Sequence, residues 1–384
     1  MKQIHIFTVF TTPEAFFDGQ FKYLTNCGED IILISSNHPN AQSFARRNGI
    51  RFIPIEMPRS MKIKPILKAI RLIIKTIKAE KPNAVFGHTP VGAFCAMIAA
   101  KWCGVKNRIY YRHGLIYTTM KGLKYQIFRL EERFVSSLAT SIINVSHSLS
   151  HLAIKDKLNP KNKQYVIGSG TCGGIDAKYI FNPELINEQK KYIIIKKLGL
   201  TNADIIYGFC GRICTDKGVP EMIDAFLKLR ALHTEVNAKL LLIGNMDERD
   251  ILPKVTKDTI INNKDIVISG WVEKSDIPYY YSMLDVFIFP SHREGFGMCV
   301  LEASAMEKPI LVSKVHGCED SIIEHITGEY IELNADSICK GMEYMLNKIK
   351  RSFLGKNGRE SVLNKYDTRV MWPLVFALYK KILK

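Results

Sequence analysis

The stretch from Asp285 to Asp320, DVFIFPSHREGFGMCVLEASAMEKPILVSKVHGCED, limits the fold more than any other part of the chain. Val286 to Phe289 is an apolar run with the length and composition of a buried parallel strand. Pro290 and Ser291 end it, and a turn bearing Gly295 and Gly297 follows. The spacing in MCVLEASAM predicts a short helix that stops before Lys308 and Pro309. Ile310 to Val312 is a second apolar run and the next strand. Strand, turn, helix and strand make a βαβ unit, the repeat from which parallel α/β sheets are built.

The turn of that unit has the chemistry of an anion site. Backbone N–H groups of Gly297, Met298, Cys299 and Val300 would lie at the helix start, where the helix dipole adds positive potential. The glycines allow a ligand close to the backbone. Two carboxylates flank the site, Glu294 before the turn and Glu302 in the helix. Carboxylates beside a phosphate pocket make sense when the ligand also carries hydroxyls, because an ionised carboxylate accepts paired hydrogen bonds from vicinal OH groups. Phosphate plus hydroxyls on both sides suggests a nucleotide sugar. The plainer alternative is a surface helix with two solvated glutamates.

Ser291, Glu294, Gly295, Phe296, Gly297, Leu301 and Glu302 stand in the pattern S-x-x-E-G-F-G-x-x-x-L-E. This resembles the signature of the retaining GT-B glycosyltransferases of family 4. The resemblance implies an α/β fold of two doubly wound, Rossmann-like domains facing a central cleft. On that reading residues 1–176 are an acceptor-binding domain, 177–203 an Asn- and Lys-rich linker and 204–366 the nucleotide-sugar domain. Residues 367–384 form a closing helix that crosses back to the first domain.

Strand–helix alternation in both halves supports two such domains, and 384 residues give room for them. A hydrophobic fraction of 47% and a charged fraction of 24% are those of a globular chain. No apolar run approaches the ~18 residues of a membrane span. The opening MKQIHIFTVFTT reads as a first strand rather than a signal peptide. The 9 cysteines are odd in number and form no CxxC pair, which points to reduced cysteine, not a disulfide framework or zinc site. Charge is uneven. Residues 1–190 carry 27 Lys and Arg against 12 Asp and Glu, whereas residues 191–384 carry 27 against 25. The first half therefore faces something anionic: a membrane surface, a lipid diphosphate or a nucleic acid. No basic motif interleaved with aromatics and no nucleic-acid module accompanies that charge, so nucleic acid is set aside.

Along the chain, Gly19 and Gln20 open a helix after the first strand, at a loop where the family places glycine against acceptor or donor diphosphate. Capping of that helix by Asp18 is the competing reading. In 62–80, Ile63, Ile66, Leu67, Ile70, Ile73, Ile74 and Ile77 follow helical spacing, with six Lys and Arg on the other face. Such a helix can lie on an anionic membrane or pack in a core; in relatives it packs against the sheet. His113 beside Gly114 falls at a strand end and resembles the family's histidine near the donor sugar. Gly168, Gly170 and Gly173 spell G-x-G-x-x-G, but no helical pattern opens there, which argues against NAD. Arg212 and Lys217 follow a strand and resemble the family's basic pair on the donor diphosphate. Gly244 ends another strand, and Gly270, Trp271 and Val272 are base-site candidates from the same resemblance. Residues 316–320 read as a loop and 321–325, SIIEH, as a helix.

The resemblance implies transfer of a glycosyl group, with retention, from a nucleoside-diphosphate sugar, with UDP as the base. Arg212, Lys217 and the amides at 297–300 would stabilise the leaving phosphate. Glu294 would hold sugar hydroxyls, Glu302 the ribose diol, and His113 would sit at the sugar. No DxD-type carboxylate pair is found, so neither metal nor other cofactor is expected. The basic first half points to a glycan on a lipid diphosphate, at the inner face of a cytoplasmic membrane. That is the setting of capsule, lipopolysaccharide and O-antigen assembly. A non-catalytic nucleotide-sugar-binding subunit and a GT-B epimerase are the alternatives.

Overall fold

Runs of Ile, Val, Leu and Phe too short for core helices become strands buried on both faces. In the computed structural model they build two parallel sheets. The structure describes residues 1–59, 62–201 and 203–383; residue 202 of the expected linker and residue 384 of the expected closing helix lie outside them. The chain divides into two compact units, one of Met1–Gly174 with Thr368–Lys384, the other Ile175–Asp367.

The first unit holds β1 (Lys2–Ile6), β2 (Asp30–Ser35), β3 (Arg51–Pro54), β4 (Ala84–His88), β5 (Asn107–Arg112), β6 (Ser141–Asn144) and β7 (Gln164–Val166). Their order in the sheet is β3-β2-β1-β4-β5-β6-β7. The order reverses between β1 and β4, which pair in parallel from Gln3↔Ala84 to Ile6↔Gly87. Open α/β sheets bind ligands at such a switch point, beyond the carboxyl ends of the strands. The basic helix Ile63–Glu80 buries Ile66, Ala69, Ile70, Ile73 and Ile77 in this unit's core, so it is a core helix. Ile63 and Leu67, counted on its apolar face from the sequence, are 74% and 47% exposed. The helix Thr368–Ile382 packs in this unit too, burying Met371, Val375 and Tyr379.

The second unit holds β8 (Ile205–Cys210), β9 (Ala238–Ile243), β10 (Ile266–Gly270), β11 (Val286–Phe289), β12 (Ile310–Ser313) and β13 (Gly328–Ile331). Their order is β10-β9-β8-β11-β12-β13, with the switch point between β8 and β11. The βαβ unit read from the sequence is present as β11, the helix Met298–Ala305 and β12, with Phe287↔Ile310 to Phe289↔Val312 in register. One expectation fails here. Residues 321–325 form no helix, because Ile323 and Thr327 close a local loop through the Thr327 hydroxyl and amide. The 177–203 segment contains the helix Glu188–Lys197, which packs on the helix Ile277–Met283.

Candidate active site

The carboxyl ends of β8 and β11 bring Arg212, Lys217, Glu294 and the glycine turn to one place in the second unit. After β8 the chain makes a 3-10 turn, Thr215–Lys217, ended by Gly218 at φ +68°. A Cβ on Gly218 would strike the Pro290 carbonyl, so only glycine lets this turn rest on the end of β11. Lys217 Nζ is thereby paired with the Glu294 carboxylate. Glu294 Oε1 also accepts from the Ser291 hydroxyl at 3.2 Å. Both partners of the pair are 15% exposed. Burial acts to lower the Lys217 pKa, but the charge and hydrogen bond of Glu294 outweigh it and hold it above the ordinary lysine value. Lys217 is therefore cationic at neutral pH.

Arg212 has a partner that sequence reasoning missed. Its Nη1 donates to Asp247 Oδ2 at 2.7 Å. Asp247 also accepts from the amides of Arg249 and Asp250 at 2.7 and 3.1 Å. The Arg212 hydrogen bond, with these amides, holds the Asp247 carboxyl at about 2. Asp216 is likewise clamped, accepting from Arg293 Nη2 at 3.0 Å. Both candidate cations thus carry a carboxylate inside their own unit, and a ligand anion must share them.

The helix Met298–Ala305 starts at Gly297, φ +78°. The Val300 amide donates to the Gly297 carbonyl at 2.9 Å, so it is spent inside the turn and drops out of the expected anion site. Val300 itself is core, as is Phe296, which lies 5.6 Å from the Tyr366 ring. Met298 and Cys299 stay partly exposed at the helix start, and Gly295 in the turn before it. Gly317, unremarked in the sequence, has φ +90°, and its absent Cβ would lie 2.7 Å from the Gly295 carbonyl, so the 314–320 loop rests on the turn. Glu302 accepts from the Tyr281 hydroxyl at 2.8 Å. Burial raises its pKa, with Tyr281 pulling the other way.

At the ends of β9 and β10, Gly244 and Gly270 form a backbone bridge. A Cβ on Gly244 would collide with the Gly211 carbonyl, so close strand-end packing explains the glycine. Val272 is partly buried beside it. Trp271, next to Gly270 at the end of β10, is 75% exposed.

In the first unit Gly19 caps the helix Gln20–Asn26 with φ +78° and donates its amide to Asn48 Oδ1 at 2.9 Å. Its absent Cβ would sit 2.9 Å from the Trp372 ring, so packing accounts for this glycine. Asp18 does not cap; its carboxylate accepts from Arg47 at 2.8 Å and Asn48 at 2.9 Å. Gln20 is buried, with Nε2 on the Cys172 carbonyl at 3.3 Å and Oε1 unpartnered. His113 is half-buried after β5, its Nε2 3.1 Å from His88 Nδ1.

Residues 190–361 match the model of glycosyl transferases group 1, and residues 5–146 that of the glycosyl transferase 4-like domain. The capsular polysaccharide biosynthesis glycosyltransferase CapM of Staphylococcus aureus is 31% identical over 389 residues, covering 100% of this chain and 99% of its own. The chain belongs to this glycosyltransferase family. An N,N'-diacetylbacillosaminyl-diphospho-undecaprenol alpha-1,3-N-acetylgalactosaminyltransferase of Campylobacter jejuni is 26% identical, over 94% of both chains. Among solved structures, a sucrose-phosphate synthase of Thermosynechococcus elongatus aligns with TM-score 0.83 at 17% identity, over 100% of this chain and 99% of its own. HepE of Anabaena in complex with UDP aligns with TM-score 0.79 at 14% identity, over 99% of each. The fold of this glycosyltransferase is GT-B, with two Rossmann-like domains.

Outside these sites, the helix Gly122–Leu138 of the glycosyltransferase exposes Leu123, Ile127, Leu130 and Phe134, a spacing that puts them on one face. A groove of about 480 Å³ adjoins it, lined by Arg133, Ser136, Lys157, Lys161 and Lys163 among others. No described helix is long and apolar enough to cross a membrane. All nine cysteines are free.

Proposed function

We propose that this glycosyltransferase moves a sugar, with retention and without a divalent metal, from a UDP-sugar to a glycan on a lipid diphosphate. The product belongs to a surface polysaccharide. The observation that carries the donor half is the Lys217–Glu294 pair beside the glycine turn at the β8/β11 switch point. Lys217 and Arg212 meet the donor diphosphate, and the Gly297 and Cys299 amides add the helix-terminal field. Glu294, held by Lys217 and Ser291, takes sugar hydroxyls, and Glu302, oriented by Tyr281, takes the ribose diol. As the bond from the anomeric carbon to the β-phosphate oxygen breaks, charge grows on that oxygen next to Lys217. The acceptor hydroxyl adds on the same face and gives its proton to the departing phosphate oxygen, which accounts for retention without a carboxylate nucleophile.

The acceptor half is supported by relatives named for such substrates, among them the Campylobacter enzyme that is an N,N'-diacetylbacillosaminyl-diphospho-undecaprenol alpha-1,3-N-acetylgalactosaminyltransferase. Within this chain, the apolar stripe 123–134 beside a groove of lysines has the chemistry of a surface that rests on anionic lipid. This surface makes the protein peripheral at the inner face of the cytoplasmic membrane. Sedimentation with anionic vesicles should pull the protein down and lose it at high salt; salt-independent or absent binding contradicts this. For the donor, a thermal-shift panel with UDP, GDP, ADP, CMP and NAD is the test. Ligand at ~100 times its dissociation constant stabilises by about 2.7 kcal/mol. UDP alone should raise the melting temperature; a shift with NAD instead removes the reading.

A further inference from the structure

A line of polar side chains crosses the first unit beneath its switch point. Glu29 Oε2 accepts from Gln3 Nε2 at 2.7 Å. Gln3 Oε1 lies 3.2 Å from His5 Nε2. His5 Nδ1 lies 3.1 Å from His88 Nε2, and His88 Nδ1 lies 3.1 Å from His113 Nε2. Gln3, His5 and His88 are wholly buried, and Glu29 is nearly so. The His113 Nδ1 has no partner among the described residues.

The donors and acceptors in this line are fixed from one end. Glu29 also binds Lys380 Nζ at 2.9 Å. Burial works against its charge, but Lys380 and Gln3 are among the partners that outweigh it and keep its pKa below the ordinary value. An ionised carboxylate only accepts, so Gln3 turns its NH₂ to Glu29 and its carbonyl oxygen to His5. His5 must then donate from Nε2. A neutral imidazole that donates from one nitrogen accepts at the other, so His88 donates from Nε2 to His5 Nδ1. By the same step His113 donates from Nε2 to His88 Nδ1. The rings are neutral because burial disfavours imidazolium, lowering His5 to about 3 and His113 to about 4, and His88 well below its usual range.

We propose that Glu29, Gln3, His5 and His88 are positioning residues that set the tautomer of His113, so that its Nδ1 lone pair faces the substrate as an acceptor for a sugar hydroxyl. The role of the lone pair rests on the proposed transferase reading; the tautomer does not. The relay does not carry protons away. A proton taken at His113 could pass to His5 but would meet the Gln3 amide, which does not take it on. The line therefore orients and does not conduct. It also explains why a row of three histidines, two of them wholly buried and costly without full hydrogen bonding, is present at all.

The test is ¹⁵N-histidine NMR of the full chain, reading which ring nitrogen carries each proton, in wild type and in Gln3→Leu. Wild type should show Nε2–H at His5, His88 and His113. Gln3→Leu removes the acceptor that fixes the line. The lowest-cost remedy is reversal, leaving a bare Nε2 at His5 rather than a buried unpaired N–H. All three rings should then carry the proton on Nδ1. Nδ1–H at His113 in wild type, or no reversal in folded Gln3→Leu, overturns the proposal; should that variant fail to fold, the wild-type spectrum decides alone. Where wild type transfers sugar, Gln3→Leu should lose about tenfold in kcat/KM, the worth of one hydrogen bond. Gln3→Glu, whose buried carboxyl stays protonated to donate to Glu29 and keeps its carbonyl oxygen towards His5, should restore both tautomer and rate. A reversed tautomer with unchanged kcat/KM overturns the substrate-facing role, while absence of transfer in wild type removes the transferase reading and leaves the tautomer result standing.

Discussion

The two units present polar groups at their switch points in opposite ways. In the second, charge is kept and paired: Lys217 with Glu294, Arg212 with Asp247, Arg293 with Asp216. In the first, the row of His5, His88 and His113 is kept neutral by burial and linked by hydrogen bonds from ring to ring. The difference follows from what each can hold. Paired charges at a half-open strand end can be re-partnered by an anion at modest cost, whereas ions at the buried His5 and His88 would pay desolvation without compensation. The charged switch point is suited to a diphosphate, and the neutral one to hydroxyls.

The comparison breaks most visibly at Lys217. Lys217→Ala should lower turnover by on the order of 10²–10³, as loss of one preorganised charge at a leaving group does. Steady-state transfer kinetics check it, and an unchanged kcat removes Lys217 from the site. Glu302→Ala should weaken nucleotide binding by about 10- to 100-fold, from loss of hydrogen bonds to a charged acceptor worth ~1.5–3 kcal/mol. Calorimetric titration with UDP measures this, and wild-type affinity would end the ribose role. Because the Glu302 pKa is raised, its carboxylate protonates at higher pH than an ordinary glutamate. UDP affinity in wild type should therefore fall on acidification sooner than in Glu302→Gln. The smallest effect is at Asp247, whose pKa is depressed to about 2. Its contribution to stability is complete above the unfolded value of about 3.9 and disappears as pH falls towards 2. Arg212 is 49% exposed, so screening limits the gain to ~1 kcal/mol or less. Denaturation midpoints of wild type and Asp247→Asn should converge below pH 2; an equal gap at pH 2 and pH 6 contradicts the pairing.

How much of this the sequence carries depends on how local each feature is. The β11–turn–helix unit is legible because strand, glycine turn and helix are contiguous and each has its own composition signal. The Lys217–Glu294 pair was half legible: both residues stood out, but not that they pair, since β8 and β11 become neighbours only once the sheet order is known. Asp247 escaped notice because it reaches Arg212 across the β8–β9 pairing, 35 residues away. The histidine row is illegible for the same reason, since residues 3, 5, 29, 88 and 113 meet only through the order β2-β1-β4-β5. The exposure of Trp271 is equally illegible, since its residue type does not say that the end of β10 leaves it at the surface. The Val300 amide, consumed by Gly297, could not be foreseen from spacing alone.

The most direct measurement is amide hydrogen exchange of the full chain with and without saturating UDP. Binding at the β8/β11 switch point should slow exchange in 210–218 and 295–302, and Lys217→Ala should lose that protection. Protection confined to other segments, such as 164–176 with its three spaced glycines, would contradict the donor site described here.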